Sequence, residues 1–163
     1  MKILIISDSH VNNNIIMQVL EKEKPDMLIH LGDIENDTFP LEQALGTEKP
    51  SIYIRGNCDY YDRNLKPNAV FSLCGHRFFA THGHMYGVNY GYDRLVYAAK
   101  EKDCDIALFG HIHKPVDEEI GGVRVLNPGS ISRPRGGSSR SYIIMELDEG
   151  GDMKVEFQCL RLV

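Results

Sequence analysis

The chain of 163 residues lacks any long apolar run: the longest near its start, Ile3–Ile6, breaks at Ser7, far short of the ~20 residues a membrane crossing needs. Lys2 leads directly into that run, so neither a signal peptide nor a transit peptide fits, and a cytoplasmic location is expected. Cysteine is sparse. Cys58, Cys74, Cys104 and Cys159 contain no CxxC pair, which argues against a structural zinc site, and disulfides are unusual in a reducing compartment. Idle or buried thiols are the expectation, with Cys58 set apart by its neighbours. Basic excess is missing too: 18 Lys and Arg against 23 Asp and Glu leave a net charge of −5, which argues against binding long nucleic acid. There is no low-complexity segment, internal repeat or obvious linker. What remains, 42% apolar and 25% charged residues, is the composition of one globular domain over residues 1–163. The net charge bounds the surface and not a site, because bound cations can make one pocket positive.

Apolar runs alternate with helical spacing along the first half. Lys2–Ser7 and Met27–Leu31 read as strands buried on both faces, and Ser51–Ile54 as a third. Between them, Asn12–Lys24 carries Ile15, Ile16, Val19 and Leu20 on one helical face and ends at Pro25, and Thr38–Leu45 forms a short helix stopped at Gly46. Two strand–helix–strand units of this kind feed a parallel sheet with right-handed crossovers. The second half is mixed. Ala69–Leu73 and Arg77–Thr81 form a hairpin, a helix covers Tyr90–Lys102, and Asp105–Phe109 is another buried strand. Glu118–Ile120 and Val123–Leu126 flank Gly121-Gly122, and Ser141–Leu147 and Met153–Leu160 form a last hairpin. The fold class is α/β, accommodated by two mixed sheets packed as a sandwich with helices outside.

In open α/β sheets ligands bind beyond the carboxyl ends of strands. Five strand ends here carry Asp8-Ser9-His10, Gly32-Asp33, Gly56-Asn57-Cys58-Asp59, Thr81-His82-Gly83-His84 and Gly110-His111-Ile112-His113. Each motif alone is weak, since a single His is more often a satisfied core or surface residue than a ligand. Together they are not, because buried Asp and His cost several kcal/mol unless paired or metal-bound. Asp oxygen with His nitrogen and no thiolate suits Mn, Fe, Co, Ni or Zn. Asp8, His10, Asp33, Asn57, His82, His111 and His113 are too many for one ion and suit two, with a carboxylate bridging; such pairs serve hydrolysis at phosphorus.

In that order, and with Asn127-Pro128-Gly129-Ser130 after them, these motifs resemble the small bacterial and archaeal calcineurin-like metallophosphoesterases over nearly the whole chain. The resemblance implies a β-sandwich flanked by helices with a dinuclear centre at one sheet edge. By position, Asp8, His10 and His113 would hold the first metal, Asn57, His82 and His111 the second, and Asp33 would bridge them. Two divalent ions are expected, manganese foremost, with Ni, Fe, Co or Zn as alternatives. Two dications against two carboxylates and a bridging hydroxide leave net positive charge for an anionic phosphate, and a metal-bound water ionises near neutrality. In-line attack by that hydroxide, without a covalent phospho-enzyme, is the expected mechanism, with Asp33, Asn57 and His84 in the catalytic set. Metal affinity is expected to fall as pH drops through ~6.5, where imidazoles protonate.

The chain departs from many larger relatives at Cys58, where they carry a His that protonates the leaving group. That leaves His84, a water or no acid at all, and His84 is the candidate for a phosphate or leaving-group contact. Asp59 reads either as an orienting partner of a ligand His or as a turn residue. Arg133 and Arg135 could bind phosphate or sit in a solvated loop. Tyr60, Tyr61, Tyr86, Tyr90 and Tyr92 form either an aromatic rim or packing for the next helix. A phosphodiesterase is preferred over a phosphomonoesterase, with a small phosphodiester or nucleotide-like substrate, no membrane, and a homodimer or tetramer as the candidate assembly. The alternative is a non-catalytic metal-binding scaffold of the same fold, like the phosphoesterase-like subunit of retromer, whose first motif lacks the His present here as His10. A nuclease on long DNA is disfavoured by size and charge, and amidohydrolases by the absence of their HxHxDH stretch.

Overall fold

The structure is a computed structural model that describes residues 1–160; residues 161–163 of the expected domain lie outside the described residues. Strands β1 (Lys2–Ile6), β2 (Met27–His30) and β3 (Ser51–Tyr53) run parallel, joined by helices α1 (Asn13–Glu23) and α2 (Phe39–Leu45). Asn12 caps α1, its side chain accepting from the Ile15 amide, and Lys24 closes it in a left-handed conformation ahead of Pro25. The second half gives β4 (Asn68–Leu73), β5 (His76–Thr81), α3 (Asp93–Lys100), β6 (Ile106–Leu108), β7 (Pro115–Ile120), β8 (Val123–Pro128), β9 (Ser141–Leu147) and β10 (Met153–Cys159).

These strands form two five-stranded mixed sheets, ordered β10-β9-β1-β2-β3 and β4-β5-β6-β8-β7. Alternation along the strands sorts their side chains into three cores. Ile3, Ile5, Met27 and Ile29 of one sheet pack against Phe78, Ala80, Ile106 and Leu108 of the other, forming the seam of a sandwich. Leu4, Ile6 and Leu28 face the opposite way, onto Ile16, Val19 and Leu20 of α1 and Leu41 and Leu45 of α2. Phe79 and Ala107 cover α3 through Leu95, Val96 and Ala99. With both faces covered, the central strands need apolar residues at every position, which is why they read as continuous runs.

Boundaries shift from expectation at α3 and at β7, which begins at Pro115, three residues before the expected Glu118. The 90–102 helix contracts to 93–100, and a short 3-10 turn, His84–Tyr86, precedes it. Tyr92 makes the N-cap, and Gly87 and Gly91 hold positive φ just before it, so the chain cannot enter the helix earlier.

Register sets the strand ends level. Ile6 pairs with His30 in the first sheet, and Leu108 pairs with Ala80 and Leu126 in the second. The ladders continue one step past the strands: the Asp8 amide donates to the Gly32 carbonyl at 3.0 Å, and the Gly110 amide to the His82 carbonyl at 3.0 Å. All five chemically loaded segments therefore emerge at one end of the sandwich.

Candidate metal centre

The segments turn back sharply as they leave the strands. Asp8, His10, Asp33, His111 and His113 all have φ between 44° and 70°, a left-handed conformation that costs a non-glycine residue about 1–2 kcal/mol. Hydrogen bonds hold it in place. The Asp8 carbonyl accepts from Ser130 Oγ at 2.8 Å and Ser132 Oγ at 3.0 Å, which explains why a Ser comes directly after Asn127-Pro128-Gly129. Asp59 is fully buried and accepts three backbone amides: Asp33 at 2.7 Å, Gly56 at 2.8 Å and Glu35 at 2.7 Å. It ties the second and third segments together and orients no histidine ring, so its role is that of a loop clamp. Two glycines are required by proximity: a Cβ on Gly56 would lie 2.1 Å from Asp33 Oδ1, and one on Gly110 would lie 2.0 Å from Ser7 Oγ.

The seven residues singled out in the sequence come together. Donor atoms of Asp8, His10, Asp33 and His113 lie within 4.8 Å of one another. Beside them, His82 Nε2 stands 3.4 Å from Asp33 Oδ2 and 3.1 Å from Asn57 Oδ1, and His111 Nδ1 is 2.9 Å from the same Asn57 oxygen. Asp33 thus touches both groups.

The outer ring nitrogens fix the tautomers. His82 Nδ1–H donates to the Leu31 carbonyl at 2.7 Å, and His113 Nδ1–H donates to the Arg133 carbonyl. His10 Nδ1 is paired with the Glu35 carboxylate. In neutral rings of this orientation Nε2 carries a lone pair, and each one points inward. His113 Nε2 then meets Asp8 Oδ1 at 3.1 Å and His10 Nε2 at 3.3 Å, acceptor against acceptor. Asp8 Oδ1 is fully buried and has no hydrogen-bond partner. A buried oxygen in that state is costly, and only cations, protons or metal ions, relieve such a cluster. The donor set fits divalent transition metals.

The charges respond accordingly. Burial pushes Asp8 and Asp33 up, but His113 and His82 for the first, and His82 with the Cys58 amide for the second, outweigh it and hold both below the usual carboxylate range. Burial pushes His82 down, yet the bond to Asp33 and the charge of Asp8 carry it above the ordinary imidazole value. Burial and the neighbouring His82 hold His111 and His84 below that value. Burial and the Asp33 charge push the Cys58 thiol up to about 12, against its use as a thiolate.

His84 sits at the rim, half-buried, its ring 5.4 Å from His82 and 6.1 Å from His111, with Nδ1 buried and unpartnered. Tyr86 and Tyr92 pack on Phe79 and Phe109, as helix packing requires. Tyr60, Tyr61 and Tyr90 do not: they are 81%, 58% and 97% exposed. Sequence reading missed Glu35 and Asn89. Asn89 stands 3.0 Å from His111 Nε2, in a loop where nothing local marks it. Glu35 falls two residues after Asp33, a signal readable only once His10 is known to face it. Among the described residues no helix is long and apolar enough to cross a membrane.

Comparison with known proteins agrees with this architecture. Residues 1–150 match the family model for the calcineurin-like phosphoesterase superfamily domain. The chain is 32% identical to the probable metallophosphoesterase YsnB of Bacillus subtilis, covering 91% of this chain and 85% of that one. It is 31% identical to the phosphodiesterase YfcE of Escherichia coli, over 91% and 89%. Among solved structures, a conserved Streptococcus pneumoniae protein described as a predicted phosphoesterase superposes with a TM-score of 0.82 at 32% identity, over 97% of this chain and 88% of that one. Vps29 from Entamoeba histolytica, complexed with zinc, shares the fold with a TM-score of 0.77 at 22% identity, over 98% and 99%.

Proposed function

The chain belongs to the calcineurin-like phosphoesterase superfamily, and from that premise we propose that it is a metal-dependent phosphodiesterase holding two divalent ions, its whole length forming one catalytic domain. The observation that carries this reading is the inward-facing acceptor cluster, above all the buried, unpartnered Asp8 Oδ1 opposite the His113 Nε2 lone pair. Asp8, His10 and His113 would hold one ion, Asn57, His82 and His111 the other, with Asp33 between them; manganese suits this oxygen and nitrogen set. Such ions supply positive charge to a phosphate ester and lower the pKa of water towards neutrality.

The protein's own groups do the positioning. Leu31, Arg133 and Glu35 lock three rings so that Nε2 faces inward. Asp59 and the two serines after Gly129 fix the loops that carry the ligands. His84, half-buried at the rim beside His82 and His111, is assigned to contact with the phosphate or leaving group. Serine hydroxyls near the site are fully buried, out of a substrate's reach: Ser7 Oγ donates to Asp8 at 2.6 Å, and Ser9 Oγ pairs with His30 at 2.9 Å. The attacking oxygen is therefore water's and no phospho-enzyme forms. YfcE, a relative named as a phosphodiesterase, supports the diester preference.

The test is hydrolysis of bis-p-nitrophenyl phosphate and p-nitrophenyl phosphate by metal-stripped protein with and without Mn(II). Turnover restored by metal, faster on the diester and lost in His111→Ala, is expected. Stoichiometric metal binding with no turnover of either ester would replace this reading by the non-catalytic scaffold.

A further inference from the structure

A cleft of about 340 Å³ opens beside the metal centre, lined by Asn89, Tyr92, Ile112, Lys114, Arg135 and Gly136 among others. Its distance from the chemistry is one imidazole ring: His111 presents Nδ1 to Asn57 and Nε2 to Asn89, which forms the cleft wall. Ile112, on the cleft floor, lies between the two ligand histidines of its own segment. The cleft is cationic. Lys114 and Arg135 both line it, no carboxylate does, and among the described residues neither cation makes an ion pair. Both cations are solvent-exposed, where water screens their mutual repulsion, and an anion entering the cleft would gain attraction from both.

The cations are carried on an anchored backbone. The Arg135 amide donates to the His113 carbonyl at 3.1 Å, and Ser138 Oγ donates to the Arg135 carbonyl at 2.7 Å. Lys114 lies across Gly136, where a Cβ would come 2.5 Å from its Cε and 2.9 Å from Nζ; this glycine, at φ 62°, leaves the room the ammonium uses. Tyr92 gives the cleft an aromatic side.

Resting on the phosphodiesterase reading, we propose that this cleft is a second anion subsite: the favoured substrates are phosphodiesters that carry a further phosphate group on the portion retained next to the scissile bond. Lys114 and Arg135 receive that group, Arg through its planar fork of donors, and Tyr92 flanks the connecting moiety. They are specificity residues and take no part in bond breaking.

A matched substrate pair tests this. Thymidine 5′-(p-nitrophenyl phosphate) and its 3′-phosphorylated counterpart share the scissile diester and the leaving group and differ by one phosphate. The wild-type protein with Mn(II) is expected to favour the phosphorylated ester by about tenfold in kcat/KM, mainly through KM, equivalent to about 1.4 kcal/mol. The preference should fall towards one in the Lys114→Ala/Arg135→Ala double variant and survive in Lys114→Arg/Arg135→Lys, which keeps the charge. Calorimetric titration of Mn(II)-loaded protein with thymidine 5′-monophosphate and thymidine 3′,5′-bisphosphate reads the same preference without turnover. No preference in the wild type, or one unaltered by the alanine pair, overturns the subsite. If neither ester is hydrolysed while the bisphosphate preference persists and is lost in the alanine pair, the subsite stands and the phosphodiesterase reading falls.

Discussion

At the scale of one residue, burial opposes the charge of Asp8 while His113 and His82 favour it. Its carboxylate is fully buried, one oxygen accepts from Ser7 Oγ and the His111 amide, and the other is unpartnered among ring nitrogens. Asp8→Asn removes the charge and keeps the shape. The metal-free variant is expected to unfold at a lower temperature than the wild type, because His113 and His82 favour the ionised Asp8 in the fold and lose that partner. The rise in Tm on adding Mn(II) should be largely lost, because a ligand binding only the native state stabilises it by about 2.7 kcal/mol at a hundred times its dissociation constant. Scanning calorimetry with and without metal checks both halves. A wild-type-like rise in Asp8→Asn would remove Asp8 from the ligand set. At this scale the sequence displayed the candidate site residues, since Asp, Asn and His recur at five strand ends. It did not display Glu35 or Asn89, whose roles depend on facing His10 and His111 across the loops.

Elements are held together by polar contacts as well as by the three cores, and one such contact has a pH signature. Glu23, at the end of α1, accepts from Tyr142 Oη of β9 at 2.7 Å and from Lys2 Nζ of β1 at 3.0 Å, with Lys22 Nζ 3.1 Å away. Burial pushes its carboxyl up, but Tyr142, Lys2 and Lys22 more than offset this and bring it from 4.5 to about 2. A depressed carboxylate contributes stability that is fully present above its unfolded pKa and is lost as pH falls through its folded one. Urea unfolding of wild type and Glu23→Gln should therefore differ by a constant amount from pH 7 down to about 5, and the difference should shrink steadily towards pH 3. A gap independent of pH over that range would mean that Glu23 acts through packing alone. Helix and strand identities were readable because central strands buried on both faces must be apolar throughout, while α1 shows one apolar face. Boundaries moved where turns intervened, as at the 84–86 turn ahead of α3.

For the molecule as a whole, the decisive feature is that the two sheets share one site. Asp8, His10, Asp33 and Asn57 come after strands β1, β2 and β3 of the first sheet, whereas His82, His111 and His113 come after β5 and β6 of the second. Both proposed ligand groups draw on both sheets, so bound ions would cross-link the sandwich at its open end. Hydrogen exchange should report this: adding Mn(II) to metal-free protein is expected to slow amide exchange at residues 7–10 and 32–33 and at residues 82–84 and 110–113 in the same concentration range. Protection confined to one sheet's loops would assign the ions to that sheet alone. The same convergence leaves the cationic cleft of Lys114 and Arg135 one ring away from the centre.

By itself the sequence determined the α/β class, the strand and helix order, and the identity of the candidate site residues. Those properties are written locally, in hydrophobic periodicity and in the polar residues that close each apolar run. Only the tertiary structure decided that the five segments meet at one end of a sandwich, that ring tautomers turn lone pairs inward, that Asp59 clamps backbone amides and not a histidine, and that Lys114 and Arg135 share a cleft. These facts depend on register between strands far apart in the chain and on which groups face each other across it, and spacing along a single sequence does not encode direction in space.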